Sequence, residues 1–141
     1  MHFHEARLRV RYAETDQMGV VYHANYLVWM EVGRVEFCRS RGLRYRDLET
    51  GAQVRLAVVE ANCRYLTPAR YDDEVIVKAW VEEAHPRMVR FGYEMRNADP
   101  EAGPVLATGH TKHIFLGADM KPRKLPEAYR SIFSVGPRVD P

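Results

Sequence analysis

Apolar and polar residues alternate along the first stretch of the chain, FHEARLRVRY, residues 3–12. His4, Ala6, Leu8, Val10 and Tyr12 fall on one side, and Glu5, Arg7, Arg9 and Arg11 on the other. A period of two with one apolar face predicts a half-buried strand. Gly19 breaks the pattern. The spacing then becomes helical in NYLVWMEVGRVEFCRSRG. Asn25 is the candidate cap at its start, and Gly42, after Arg39 and Arg41, the candidate stop. Tyr26, Met30 and Phe37 cluster on one face. Leu27, Val28, Trp29, Val32, Val35 and Cys38 nevertheless spread apolar character around most of the circumference. Such a helix is expected to be buried on more than one side. Gly33 in its middle costs roughly 1 kcal/mol of helix propensity, which points to close backbone packing at that position.

Four strand-like runs follow. VRLAVVEANCRYL alternates in two phases, Val54, Leu56, Val58 and then Val59, Ala61, Cys63, Tyr65. The slip between Val58 and Val59 predicts a bulge, or a segment buried on both faces. EVIVKAWVEE sets Val75, Val77, Ala79 and Val81 on one side, and MVRFGYEM does the same with Val89, Phe91, Tyr93 and Met95. PVLATGHTKHIFL is the fourth run. Turn signals separate them at Thr67-Pro68, His85-Pro86, Asn97 to Pro100 and Gly103-Pro104. The order is strand, long apolar helix, then four strands. An antiparallel sheet leaves one face needing cover, and one apolar helix supplies it. The expected class is α+β in a single domain over residues 1–141. Residues from about 119 form a C-terminal tail with one short helical turn and an unstructured end.

Composition narrows the function classes. With 141 residues, 46% hydrophobic and 28% charged, the chain has the balance of one globular domain and can build a core without metal or disulfides. A net charge of +2 is too weak to argue for a nucleic-acid partner. No run approaches the length of a membrane span, and the N-terminus lacks a signal-peptide core. Cys38 and Cys63 are far apart and read as reduced residues of a cytoplasmic protein. The histidines form no metal set: His2 and His4 lie near a terminus, and His110 and His113, three apart on a strand, point to opposite faces. No metal or other cofactor is expected.

The segment that carries chemistry is Tyr12-Ala-Glu-Thr-Asp16-Gln-Met-Gly19-Val-Val-Tyr-His23-Ala-Asn25-Tyr26. A strand ends, a loop carries an aspartate, and a helix begins near His23 to Asn25. Free backbone N–H groups and a positive dipole end sit at a helix start. They can hold a carbonyl oxygen that gains negative charge. A carboxylate seven residues earlier can reach the same small volume. A lone loop aspartate is usually a turn residue, and a lone histidine or tyrosine here is an ordinary helix-start or core residue.

The ordered motif Tyr-x-x-x-Asp-x-x-Gly-Val-Val-Tyr-His-Ala-Asn-Tyr, followed by Glu31-Val-Gly-Arg34-Val-Glu36, resembles the signature of the hotdog-fold acyl-CoA thioesterases. Within them it is most similar to the tol–pal-associated branch, with 4-hydroxybenzoyl-CoA thioesterase as a cousin. Pro68-Ala-Arg70-Tyr71-Asp72-Asp73 resembles that family's turn between its second and third strands. The resemblance spans roughly residues 3–118. It implies a five-stranded antiparallel sheet wrapped around the long helix, homodimers often paired into homotetramers, and active sites at subunit boundaries. It implies hydrolysis of acyl-CoA, with Asp16 as the catalytic carboxylate and Tyr12 and His23 at the site. The backbone N–H at the His23 position would bind the thioester oxygen. Coenzyme A is then part of the substrate, and its phosphates need basic partners; Arg70, Arg87 and Arg90 are the candidates.

A thioester's thiol leaves readily, its pKa being close to the ~8.5 of cysteine. The site therefore needs mainly an attacking oxygen and an oxyanion donor. Asp16 can act as a general base on water or as a nucleophile that forms a mixed anhydride, and both routes stay open. Met18, Trp29, Met30 and Phe37 are candidates for an apolar acyl pocket, although core packing explains them equally well. Two rival readings remain. One is a thioesterase acting on acyl groups borne by acyl carrier protein. The other is a non-catalytic acyl-CoA-binding module, disfavoured because the chain has no room for an output domain and keeps the aspartate.

Overall fold

The computed structural model describes residues 2–103 and 105–135. Strand β1 covers Phe3–Arg9, helix α1 Asn25–Ser40, a short helix α2 Tyr45–Thr50, and strands β2 to β5 Arg55–Tyr65, Glu74–His85, Met88–Asn97 and Ala107–Leu116. The strands form one sheet in the order β1-β3-β4-β5-β2, and every neighbouring pair is antiparallel. Helix α1 packs chiefly against β1 and β3. The inward residues Val75, Val77, Ala79, Val81, Val89, Phe91, Tyr93 and Met95 are all buried, as their alternation predicts, and they meet Tyr26, Trp29, Met30, Phe37 and Cys38 of the helix.

Gly33 shows why α1 lies so close to the sheet. A Cβ built there would stand 2.7 Å from Val77 Cγ1, well inside contact distance, so the helix needs a residue without a side chain at this crossing. Gly42 ends the helix as expected, with φ of +86°, a conformation that glycine adopts at no steric cost.

Two expectations differ in detail, one element is new, and one alternative is decided. β1 stops at Arg9, and Tyr12–Glu14 form a 3₁₀ turn. Asn25 is not the cap: the cap residue is Ala24, with helical backbone angles and no side-chain bond. Asn25 instead stands one position inside the helix, where its side-chain amide donates to the Glu14 carbonyl at 2.9 Å. Helix α2 has no strong apolar period and was not foreseen; it buries only Leu48. The slip in β2 is a bulge, with the register shifting between Val58 and Glu60. Double burial is not the cause, since Val58 and Val59 are each about half exposed. Beyond Leu116 the expected helical turn is present at Glu127–Phe133. It is docked, with Leu125 and Phe133 in the core. The end expected to be unstructured lies outside the described residues.

A polar seam runs through the core. The Tyr93 and Thr111 hydroxyls share a hydrogen bond of 2.6 Å, and Thr111 Oγ1 and His113 Nε2 another of 2.7 Å. Burial pushes the Cys38 thiol up to about 12, against the pull of Arg34 and Arg41, so it stays protonated and unreactive. Both cysteines are free. Among the described residues no helix is long and apolar enough to cross a membrane.

Candidate active site

The loop between β1 and α1 is folded by its own backbone. Thr15 and Val21 form an isolated antiparallel bridge, and Asp16 N–H donates to Val20 O at 2.9 Å. Between them Asp16-Gln17-Met18-Gly19 make a tight turn closed by Gly19 N–H to Asp16 O at 3.0 Å. Gly19 supplies the required positive φ of +78°. The Asp16 side chain belongs to the same turn, because Oδ1 accepts the Met18 N–H at 2.8 Å. One carboxylate oxygen is thereby oriented by backbone, and the other makes no hydrogen bond to a described residue.

Glu14 anchors this loop from beneath, and the sequence reading missed it. It is buried although charged. Its Oε1 accepts Arg11 N–H and its Oε2 the Trp29 indole N–H, both at 2.8 Å. Its carbonyl accepts Tyr22 N–H at 2.8 Å and the Asn25 amide at 2.9 Å. A single residue thus ties the strand exit, the helix start and the helix body together. The signal that could have found it is Trp29: a buried indole N–H needs an acceptor, and Glu14 is a carboxylate within the motif.

At the head of α1 the amides of Asn25, Tyr26 and Leu27 bond to the carbonyls of Tyr22, His23 and Ala24 at 3.0, 3.3 and 3.2 Å. The N–H groups of His23 and Ala24, which precede the first turn, have no acceptor among the described residues. Donors of this kind at a helix start favour negative charge.

Asp16 and His23 line one cleft of about 310 Å³ together with Val20, Val21, Tyr26, Tyr65, Leu66, Thr67 and Pro68. The second motif therefore meets the first in space: Pro68 lines the cleft, and Ala69 exchanges bonds with the loop and helix. Val21 N–H donates to Ala69 O at 2.8 Å, and Ala69 N–H donates to the Tyr26 hydroxyl at 3.3 Å. Burial raises the pKa of the Tyr26 phenol, so it remains a neutral hydroxyl. Tyr65, at the end of β2, was read only as part of an alternation. Its hydroxyl donates to the His23 carbonyl at 2.9 Å.

The remaining candidates are dispersed. Tyr12 is 78% exposed and packs edge-on against Tyr71 at 5.8 Å, outside the cleft lining. Arg70 is exposed two residues past Pro68. Arg87 and Arg90 sit at the other end of β3 and β4, Arg90 paired with Glu82 at 3.0 Å. Trp29, Met30 and Phe37 are core residues, and Met18 is 81% exposed. Among the described residues no three His, Cys, Asp or Glu side chains converge as a metal site.

Comparison with known proteins places this geometry. Residues 18–103 match the thioesterase superfamily model. The chain is 38% identical to the Bacillus subtilis protein YneP over 92% of its own length and 91% of that protein's. It is 32% identical to the acyl-CoA thioesterase YbgC of Haemophilus influenzae over 89% and 90% of the two chains. Among solved structures, a DHNA-CoA thioesterase from Staphylococcus aureus superposes with a TM-score of 0.82 and 36% identity over 89% of this chain and 82% of the other. A 4-hydroxybenzoyl-CoA thioesterase shares the fold, with a TM-score of 0.85 over 95% of this chain and 100% of that one at 16% identity. A five-stranded antiparallel sheet around one long helix is the hotdog architecture, and this chain belongs to the thioesterase superfamily.

Proposed function

We propose that the protein hydrolyses acyl-CoA thioesters to the free acid and coenzyme A, with Asp16 delivering the attack and the helix start at His23 holding the thioester oxygen. The observation that carries this reading is that Asp16 and His23 line the same cleft, at the point where backbone N–H groups are left without acceptors. The acyl group lies against Val20, Val21, Leu66 and Pro68, which give that cleft its apolar wall.

Two balanced routes use these groups. In the first, the Asp16 oxygen not held by Met18 bonds to the thioester carbon. The C–S bond breaks, the thiolate leaves and takes a proton from solvent, and water opens the resulting anhydride to release the acid and restore the carboxylate. In the second, water attacks while Asp16 accepts its proton, and the same C–S bond breaks. Negative charge on the former carbonyl oxygen is stabilised by the helix-start amides in both. Oδ1 is already committed to Met18 N–H, which orients the other oxygen for direct attack.

Of the three basic candidates, Arg70 is best placed to meet coenzyme A phosphates, being exposed beside Pro68. Arg87 and Arg90 reach this cleft only if another subunit brings them. A second copy belongs to the same reading. Leu27, Val28 and Val32 leave one side of α1 in water, and β2 is an open edge with Val58 and Val59 exposed. Each such side chain, about half exposed or less, forgoes on the order of 1 kcal/mol while uncovered.

The test is a thiol-release assay across acyl-CoAs of graded length, with an acyl-acyl carrier protein beside them and Asp16→Asn beside the wild type. The Asn variant is expected to fold and to lose on the order of a hundredfold or more in turnover. Near-normal turnover in the folded variant removes Asp16 from the centre of the reaction.

A further inference from the structure

The phenol of Tyr65 reaches from the last residue of β2 to the helix head, forty-two residues earlier in the chain, and donates to the His23 carbonyl at 2.9 Å. That carbonyl also accepts Tyr26 N–H, at a longer 3.3 Å. On the other side of the His23 Cα, the Tyr22 carbonyl accepts Asn25 N–H at 3.0 Å. Both peptide planes that flank His23 are therefore held, one by the helix itself and one mainly by Tyr65. The Tyr65 ring also packs edge-on to the His23 imidazole at 6.2 Å and to Tyr26 at 5.1 Å, so it touches both the backbone and the side chain of one residue.

We propose that Tyr65 is a positioning residue for this reaction: its hydroxyl fixes the orientation of His23, and with it the donors that meet the thioester oxygen. The proposal rests on the reading of Asp16 and His23 given above. Glu14 holds the Tyr22 and Asn25 side of this helix start, but the His23 carbonyl is met only by the longer Tyr26 N–H bond and by Tyr65, and helix ends without a side-chain cap fray. Oxyanion donors work only when they are preorganised. The link from β2 supplies the missing constraint. Burial, and secondarily Cys63, push the phenol pKa up to about 12. Tyr65 therefore keeps its proton and its donor role across the working pH range, and removing it introduces no new ionisation.

Tyr65→Phe deletes the hydroxyl and keeps the ring contacts. It is measured for turnover against pH, and by the ¹³C shift of a labelled carbonyl in a bound ketone analogue of acyl-CoA, in which CH₂ replaces the thioester sulfur. The expected result is a fall in kcat of about tenfold with KM within about twofold, since misaligning a donor costs less than the ~10²–10³ of removing it. The pH profile keeps its shape, and the carbonyl shift of the bound analogue moves towards its free value. Wild-type kcat with an unchanged carbonyl shift overturns the proposal. So does a loss shared between kcat and KM that follows a fall in melting temperature, because that is the mark of a merely structural residue. Asp16→Asn is run in parallel. An inactive Asn variant beside a fully active Phe variant sinks the positioning role alone, whereas an active Asn variant sinks the reading beneath it.

Discussion

Lowering the pH from about 7.5 to about 5 is expected to cost the fold about 2 kcal/mol through one side chain, His113. Its ring is 0% exposed and stands edge-on to Phe91 at 5.7 Å. Nε2 is taken by Thr111, itself bonded to Tyr93, and Nδ1 has no partner among the described residues. Burial first, and the Arg34 guanidinium second, push the imidazole from its ordinary 6.5 down to about 3. A histidine depressed in this way stays neutral when folded, while the unfolded chain takes up a proton as the pH falls through about 6.5. Stability present above that value is therefore lost below it. At about pH 5 the loss follows from the unfolded value alone, as RT ln[(1 + 10^1.5)/(1 + 10^−1)], about 2 kcal/mol. Any folded-state value below about 4 gives nearly the same figure.

The assay is urea unfolding at the two pH values, at one protomer concentration so that association does not shift the midpoint. His113→Gln serves as the reference, because its amide does not titrate. Carboxylates that protonate in the same interval act in both proteins and cancel in the comparison. The variant is expected to lose about 2 kcal/mol less than the wild type over the interval, whatever its baseline stability. Equal losses in the two proteins would refute the argument from His113.

Two further outcomes concern the site and its assembly. His23→Ala keeps the backbone N–H and removes the imidazole; turnover is expected to fall on the order of a hundredfold, and wild-type turnover would leave the amide as the only contribution of that residue. Light scattering at micromolar concentration is expected to give at least a dimer, since Leu27, Val28, Val32 and the β2 edge lie uncovered on one chain, and a monodisperse monomer would contradict it.

The strand faces were legible because burial on one side of a sheet writes a period of two. Val75 to Val81 and Val89 to Met95 keep that period, and so did the expectation. The helix was legible in its span and in its breadth of apolar surface. Its cap was not, because Asn25 has the right chemistry for capping but stands one position inside the helix, with its amide held on the Glu14 carbonyl. That placement depends on where the preceding loop lies, which no local window contains. Tyr65 and Glu14 escaped for a related reason. Tyr65 acts across the fold, on a residue forty-two positions away, and the alternation of β2 records only that its ring faces the helix. Asp16 and His23 needed no such long-range knowledge, since a tight turn and a helix start within one short segment place them together.

The bare crossing at Gly33 gives α1 a gearing. Gly33 lies eight positions from Asn25, about 12 Å along the helix axis, and works as the fulcrum of a rigid bar. Tyr26, Trp29 and Met30 on the head side and Phe37 and Cys38 beyond the crossing are all seated in the core, so the bar moves as one piece. The height of the fulcrum is set by Val77 Cγ1, which leaves no space for even a methyl group. A bulkier residue at Gly33, or a side chain of another size at Val77, shifts the bar against the sheet and carries its head, Ala24 and His23, with it. Displacements near 1 Å at a reacting centre are worth about a hundredfold in rate. The spacing between Asp16 and the helix head is thus sensitive to a contact outside the lining of the cleft.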